Sequence, residues 1–161
     1  MEQYIEFIKK KHGEQKRIQG TPYYLHPVAV SHLLAEKGFS EEYQMAGLFH
    51  DLLEDTDTIY EEIVTLSNDK VAEAVRLVTK EKGYSMENYI SRIKQNDMAR
   101  MVKLADRIHN LSEAYLAPTR YQKEWIEETK EWYVELAKET VFEEDLKKVL
   151  NKLQKNIAVS I

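Results

Sequence analysis

The chain has 161 residues, a formal net charge of −5 and no cysteine, with only five glycines and three prolines. That length suits one domain, residues 1–161, with a real hydrophobic core, and the missing thiols exclude a disulfide framework, a thiolate nucleophile and a cysteine-based zinc site. The acidic balance argues against polymeric nucleic acid as a partner. No apolar run or signal-like N-terminus points to a membrane or to export, so a cytoplasmic protein is expected.

Tyr4, Ile5 and Ile8 recur at helical spacing and predict a first helix over residues 2 to 12. Gly13, Gly20, Pro22 and Pro27 break that period, so 13 to 26 reads as an ordered loop. A second helix is predicted from Pro27, suited to a first turn, to Lys37, with Gly38 as its C-terminal cap. Ser40 then caps a third helix, with Glu41 and Glu42 in its first turn, that runs to about Asp55. Thr58 and Glu61 have capping-box spacing, and Val71, Val75 and Val78 continue an apolar face after Asn68 and Asp69. Lys80 to Tyr84 reads as a loop. Ser85 caps a short helix to about Gln95, and Asn96 or Asp97 caps a longer one. That one carries Met98, Met101, Val102, Ala105, Ile108 and Leu111 on one side and ends before Pro118. Helices over Thr119 to Lys138 and Val141 to Lys155 close the chain, the last with Thr140 and Glu143 in capping-box spacing. No stretch alternates with strand period. The expected architecture is all-α.

The stretch from Leu48 to Asp57 is the densest in chemistry. It sets His50 beside Asp51 and repeats an acidic pair, Glu54 and Asp55, one turn later. In a helix, i,i+4 spacing stacks Glu54 over His50 and Asp55 over Asp51. Four ionisable groups so close are costly to bury unbalanced, and a divalent cation is the simplest balance. Two further ligand candidates lie elsewhere: His26, at the mouth of the second helix, and Asp106, between apolar Val102 and uncharged Asn110 on the long helix. Two imidazoles and two carboxylates would suit Mn²⁺, Fe²⁺ or Zn²⁺ with room for water, whose pKa such an ion lowers from about 15.7 toward neutrality. Residue chemistry alone leaves a second reading open, in which the histidines are hydrogen-bonded core residues.

The order His26, His50-Asp51, Asp106 resembles the HD-domain metal phosphohydrolases. More specifically, the chain resembles the hydrolase domain of RelA/SpoT-type alarmone enzymes and their small stand-alone relatives. The resemblance is carried by Gly20-Thr21-Pro22-Tyr23-Tyr24-Leu25-His26-Pro27, the run Leu48 to Asp57, Val78-Thr79-Lys80, and Val102 to Asn110. It spans roughly residues 12 to 133. It implies a multi-helix HD-domain bundle and Mn²⁺-dependent removal of the 3′-pyrophosphate of ppGpp and pppGpp, a small-molecule nucleotide substrate. One Mn²⁺ ion, with Zn²⁺ or Fe²⁺ as alternatives, would be held by His26, His50, Asp51 and Asp106. Glu54 and Asp55 correspond to the catalytic acid pair, Asn110 to a residue lining the nucleotide pocket, and Arg17 to an arginine that packs on guanine. Lys80, Lys82, Lys103 and Arg107 are candidates for substrate phosphates and read equally well as helix-surface charges; of these, Lys80, Lys103 and Arg107 lie inside matching segments. The chain departs from the pattern at Ile18, where relatives often carry lysine, and at Ser112 and Glu113, where a basic residue and a threonine are usual. Those departures bear on the base and keep a different nucleotide or phosphorylated dinucleotide, or a non-catalytic nucleotide-binding module, as alternatives. No synthetase segment follows, so alarmone synthesis is not expected.

Other residues have plainer readings. His12 is expected to cap or pack, His32 to sit in the core or at its boundary, and His109 to hydrogen-bond near the ligands. Arg120, Tyr121 and Lys123 read as solvated surface, as does the charge run Glu127, Glu128, Lys130 and Glu131. Trp125, Trp132 and Tyr133 share a face suited to helix packing.

Overall fold

In a computed structural model describing residues 1–160, the chain is helical, with no β-strand among the described residues. It folds as two compact units, Met1–Lys103 and Leu104–Ile161.

The first unit begins with α1, Glu2–His12, whose last turn carries Lys9, Lys10, Lys11 and His12 where cations complement the helix dipole. Gly13, at φ 56°, ends it. The loop that follows is ordered by its own backbone. Lys16 bridges Pro22, Arg17 N–H donates to the Thr21 carbonyl at 2.9 Å, and Gly20 turns the chain at φ 95°. α2 spans Leu25–Glu36, two residues earlier than predicted, so Pro27 falls at the third helical position. Nothing is lost there, because N–H groups of a first turn have no intrahelical acceptor. Gly38, at φ 81°, reverses the chain into α3, Glu41–Phe49.

α2 and α3 pack closely at Gly47. A Cβ there would lie 2.9 Å from Leu34 Cδ1 and 3.3 Å from the backbone of Ser31. Val30, Leu34, Ala46, Leu48 and Phe49 fill the seam, all at most 1 % exposed, and each large aliphatic or aromatic among them contributes about 1.5–3 kcal/mol by leaving water. The edges of Tyr4 and Phe7 meet Phe49 from α1.

Four further elements follow: α4, Leu52–Asp55; α5, Tyr60–Leu66; α6, Asp69–Val78; and α7, Met86–Lys94. The capping box expected at Thr58 and Glu61 is displaced by one residue, with Ile59 N–H donating to Glu62 Oε1 at 3.1 Å while Thr58 bonds Thr56. Asn68 and Ser85 cap α6 and α7 as their positions suggest. Asn96, rather than Asp97, caps α8, Asp97–Glu113, by accepting Ala99 N–H at 2.9 Å.

The second unit contains the rest of α8, a 3₁₀ turn at Ala114–Leu116, α9 at Thr119–Glu128, a π-helical turn at Thr129–Tyr133, α10 at Val134–Ala137 and α11 at Glu143–Ser160. Its core is Leu104, Ile108, Leu111, Ile126, Tyr133, Leu136, Phe142, Leu146 and Leu153. The π turn interrupts the single helix predicted from Thr119 to Lys138. Thr129 Oγ1–H donates to the Trp125 carbonyl at 2.6 Å, a back-bond that bends helices, and Tyr133 packs against the buried Arg107 guanidinium 4.2 Å from its ring centroid. Glu128 forms an ion pair with Arg107, which corrects both its reading as solvated charge and that of Arg107 as a phosphate ligand. His32 is exposed rather than part of the core. α11 starts at Glu143, after Glu139 at φ 63°, and Glu143 accepts the Glu139 N–H rather than closing the expected box with Thr140. Among the described residues no helix is long and apolar enough to cross a membrane.

Candidate active site

The centre of the first unit's chemistry lies where α3 ends. Sequence periodicity predicts one helix through Asp55, but α3 stops at Phe49 and α4 restarts at Leu52. His50 Nδ1 lies 2.7 Å from the Gly47 carbonyl, the group to which a continuing helix would direct Asp51 N–H. Asp51 sits in the bridge region at φ −100°, ψ −2°, a conformation common where side chains are aimed at a site. One turn still separates the acids, since Asp55 N–H donates to the Asp51 carbonyl at 2.9 Å.

The close approach at Gly47 brings an imidazole from each helix together. The ring centroids of His26 and His50 are 5.2 Å apart at 72°, and both side chains are almost wholly buried. The contact to the Gly47 carbonyl makes His50 Nδ1 a protonated nitrogen and turns Nε2 toward Asp51 Oδ2, 3.1 Å away. His26 Nε2 is 3.9 Å from the same oxygen. Tyr23 donates its hydroxyl to Asp51 Oδ2 at 2.8 Å.

The acid pair lies beside Asp51. Asp51, Glu54 and Asp55 each offer an oxygen within 4.8 Å of the others. Burial, then the charges of Asp51 and Glu54, push the Asp55 carboxyl up to about 6, against a smaller opposing hydrogen bond from Tyr23. Glu54 is fixed from across a loop, Oε1 accepting the Lys80 backbone N–H at 2.8 Å. Lys80 and Lys103 both rest on Tyr89, their ammonium groups 5.5 and 5.6 Å from its centroid, with Arg92 at 5.6 Å. Tyr89 is itself anchored by its hydroxyl to the Val78 carbonyl at 2.6 Å. Arg17 is half-buried within the turn that Thr21 and Gly20 close.

In the second unit, Asp106 is buried on α8, and Asn110, one turn on, donates Nδ2–H to Asp106 Oδ1 at 3.2 Å. His109 pairs with Glu113 at 3.4 Å.

The donor set of the first unit fits a divalent cation. Two buried imidazoles face one carboxylate, one of them has its tautomer set by a backbone carbonyl, and three acids crowd together at a cost that a cation would relieve. Sequence reasoning misses three residues here. Tyr23 enters it only as part of a matching segment, and Gln15 and Tyr89 do not stand out at all. Their positions are set by loop and ring contacts that no periodicity encodes.

Known proteins resemble the chain over most of its length. A family model described as HD domain matches residues 5–140. A guanosine-3′,5′-bis(diphosphate) 3′-pyrophosphohydrolase of Aquifex aeolicus (strain VF5) is 41% identical over 140 residues, 82% of this chain and 20% of that protein. The guanosine-3′,5′-bis(diphosphate) 3′-pyrophosphohydrolase MESH1 of Danio rerio is 31% identical over 144 residues, 83% of this chain and 80% of that one. The chain thus spans about a fifth of the Aquifex relative and four fifths of the Danio relative. A solved structure of a metazoan SpoT orthologue, described as hydrolysing ppGpp and playing a role in starvation responses, superposes with a TM-score of 0.82. It is 25% identical, with 94% of this chain and 93% of that one covered.

Proposed function

Since the chain belongs to the HD-domain family, beside the guanosine-3′,5′-bis(diphosphate) 3′-pyrophosphohydrolases, we propose that it removes pyrophosphate from the 3′ position of ppGpp and pppGpp, giving GDP or GTP. The observation that carries this reading is the pair of buried imidazoles, His26 and His50, facing Asp51 with the acids Glu54 and Asp55 one turn beyond.

An HD-domain hydrolase implies a divalent metal, and we take it to be a single Mn²⁺ held by His26, His50, Asp51 and Asp106. When bound, the ion polarises the phosphoryl group and acidifies the hydrolytic water. Water oxygen bonds to the phosphorus next to the 3′-oxygen, and the bond from that phosphorus to the 3′-oxygen breaks. Glu54, oriented by the Lys80 N–H, takes the proton from the attacking water. Asp55, half-buried beside Asp51 and Glu54, is assigned the delivery of the proton that the leaving 3′-oxygen needs. Lys103 on Tyr89, with Lys80 beside it, offers ammonium groups to the substrate's phosphates. Asn110 hydrogen-bonds ribose or phosphate, and the planar guanidinium of Arg17 packs on guanine.

Residues 1–161 act as one domain in this reading, supported by a family model that runs from residue 5 to residue 140. The absence of cysteine from the chain suits a cytoplasmic setting. The test is a nucleotide panel with Mn²⁺ at fixed concentration, compared by kcat/KM. ppGpp and pppGpp should lead the panel. A higher value for another nucleotide or a phosphorylated dinucleotide would move the assignment to that substrate.

A further inference from the structure

Beside the candidate ligands lies a small network built from the end of α1 and the loop after it. Gln15 is its hub. The backbone carbonyl of Gln15 accepts Tyr23 N–H at 2.9 Å, and its side-chain nitrogen donates to the Asp55 carbonyl at 2.7 Å. That donation fixes the orientation of the amide, so Oε1 faces His12 Nδ1 at 2.9 Å and must accept from it. His12 is buried, and burial lowers its pKa, which keeps the ring neutral with Nδ1 carrying the proton. Its ring lies against Tyr23 with centroids 5.0 Å apart, and Tyr23 in turn meets His26 edge-on at 6.0 Å.

Tyr23 is therefore held at three points: through its N–H, by the His12 ring, and by the His26 ring. Its hydroxyl ends 2.8 Å from Asp51 Oδ2, the oxygen that both His50 Nε2 and His26 Nε2 face, and it also reaches the Asp55 carboxyl. A carboxylate at the end of a helical turn rotates about two bonds, and a ligand in the wrong rotamer loses most of its value to a cation. A phenol braced by two rings supplies the missing restraint at little entropic cost, since Tyr has only two side-chain torsions to fix.

We infer that Tyr23 is a positioning residue for the metal centre: its hydroxyl sets the rotamer of Asp51, and the His12–Gln15 pair locks Tyr23 and the Asp55 backbone in a common frame. The inference rests on the proposal that Asp51 is a metal ligand.

The test compares the wild-type chain with Tyr23→Phe, which keeps both ring contacts and removes only the hydroxyl. Calorimetric titration with Mn²⁺ should show affinity lower by about 10–100-fold. The Mn²⁺ affinity is the deciding readout, since the hydroxyl also reaches Asp55; at saturating Mn²⁺, kcat for ppGpp should fall while KM for the nucleotide stays within about twofold, because phosphates and base are held elsewhere. The melting temperature of the metal-free variant should remain close to wild type. A purely structural role would show the reverse, a lower melting temperature with unchanged Mn²⁺ affinity and kcat, and would overturn the inference. Equal Mn²⁺ affinity in the two proteins overturns it while leaving the hydrolase reading intact. A wild-type chain that binds no Mn²⁺ overturns both.

Discussion

Replacing Gly47 by Ala tests whether the close approach of α2 and α3 builds the site. Two effects oppose each other. Gly47 has no positive φ, so alanine is locally the better helix former by about 1 kcal/mol. Against that, the new Cβ would meet Leu34 Cδ1 at 2.9 Å and the Ser31 backbone at 3.3 Å. Leu34 is 0% exposed, so its Cδ1 must shift against packed neighbours, and the Ser31 backbone on α2 must give by a few tenths of an ångström. Overpacking of this kind costs about 1–3 kcal/mol, and with a backbone contact involved the upper half of that range applies. The net loss should be about 1–2 kcal/mol, which for a chain of this size lowers the melting temperature by about 2–8 °C. The metal should suffer more than the fold. His26 sits on α2 and His50 directly follows α3, the two helices being separated, and the Gly47 carbonyl itself holds His50 Nδ1. Mn²⁺ affinity should therefore fall by about tenfold or more. Urea unfolding of the metal-free protein and calorimetric Mn²⁺ titration measure the two quantities independently. An alanine variant that gains about 1 kcal/mol in stability, as its propensity alone dictates, and binds Mn²⁺ like wild type would refute the reasoning.

Three further substitutions separate the roles assigned to the site. Glu54→Gln should keep Mn²⁺ affinity within a few-fold while reducing kcat by about 10²–10⁴, and a variant that turns over like wild type removes Glu54 as the base. Lys103→Ala should raise KM for ppGpp about tenfold, the value of one charge-assisted hydrogen bond, with kcat little changed, as initial-rate kinetics would show. Asp55→Asn reports on pH through stability. Because the folded-state carboxyl is raised to about 6, the folded chain binds more protons than the unfolded one between about pH 4 and pH 6, so stability falls as pH rises through that window. Urea midpoints of the metal-free proteins should coincide near pH 4, with Asp55→Asn more stable at pH 7.5, and a variant less stable there would contradict the assigned cause.

Much of the architecture is legible in the sequence because long amphipathic runs and their punctuation agree. α1 and the ends of α7 and α8 fall where apolar spacing, Ser85, Asn96 and Pro118 place them. Errors cluster where a side chain competes with the backbone for a carbonyl. His50 engages Gly47 where α3 ends, and Thr129 engages Trp125 where the π turn begins, and neither preference has a period to reveal it. Glu128 is misread because charge runs look solvated until a buried arginine such as Arg107 claims one member. The acid pair and the His-Asp dipeptide are legible as a dense cluster of titratable groups. Tyr23, Gln15 and Tyr89 are not, since a tyrosine or glutamine in a loop gains its role only from what the fold sets beside it.

The most direct test is stoichiometric. Metal-free protein titrated with Mn²⁺ in the presence of ppGpp, with bound ion and released pyrophosphate followed together, should saturate at one ion per chain. The rate at which pyrophosphate and GDP form should rise in proportion to the ion bound and fall to zero on chelation. Turnover that is indifferent to chelation, or one tightly bound ion with no pyrophosphate released, would contradict the account.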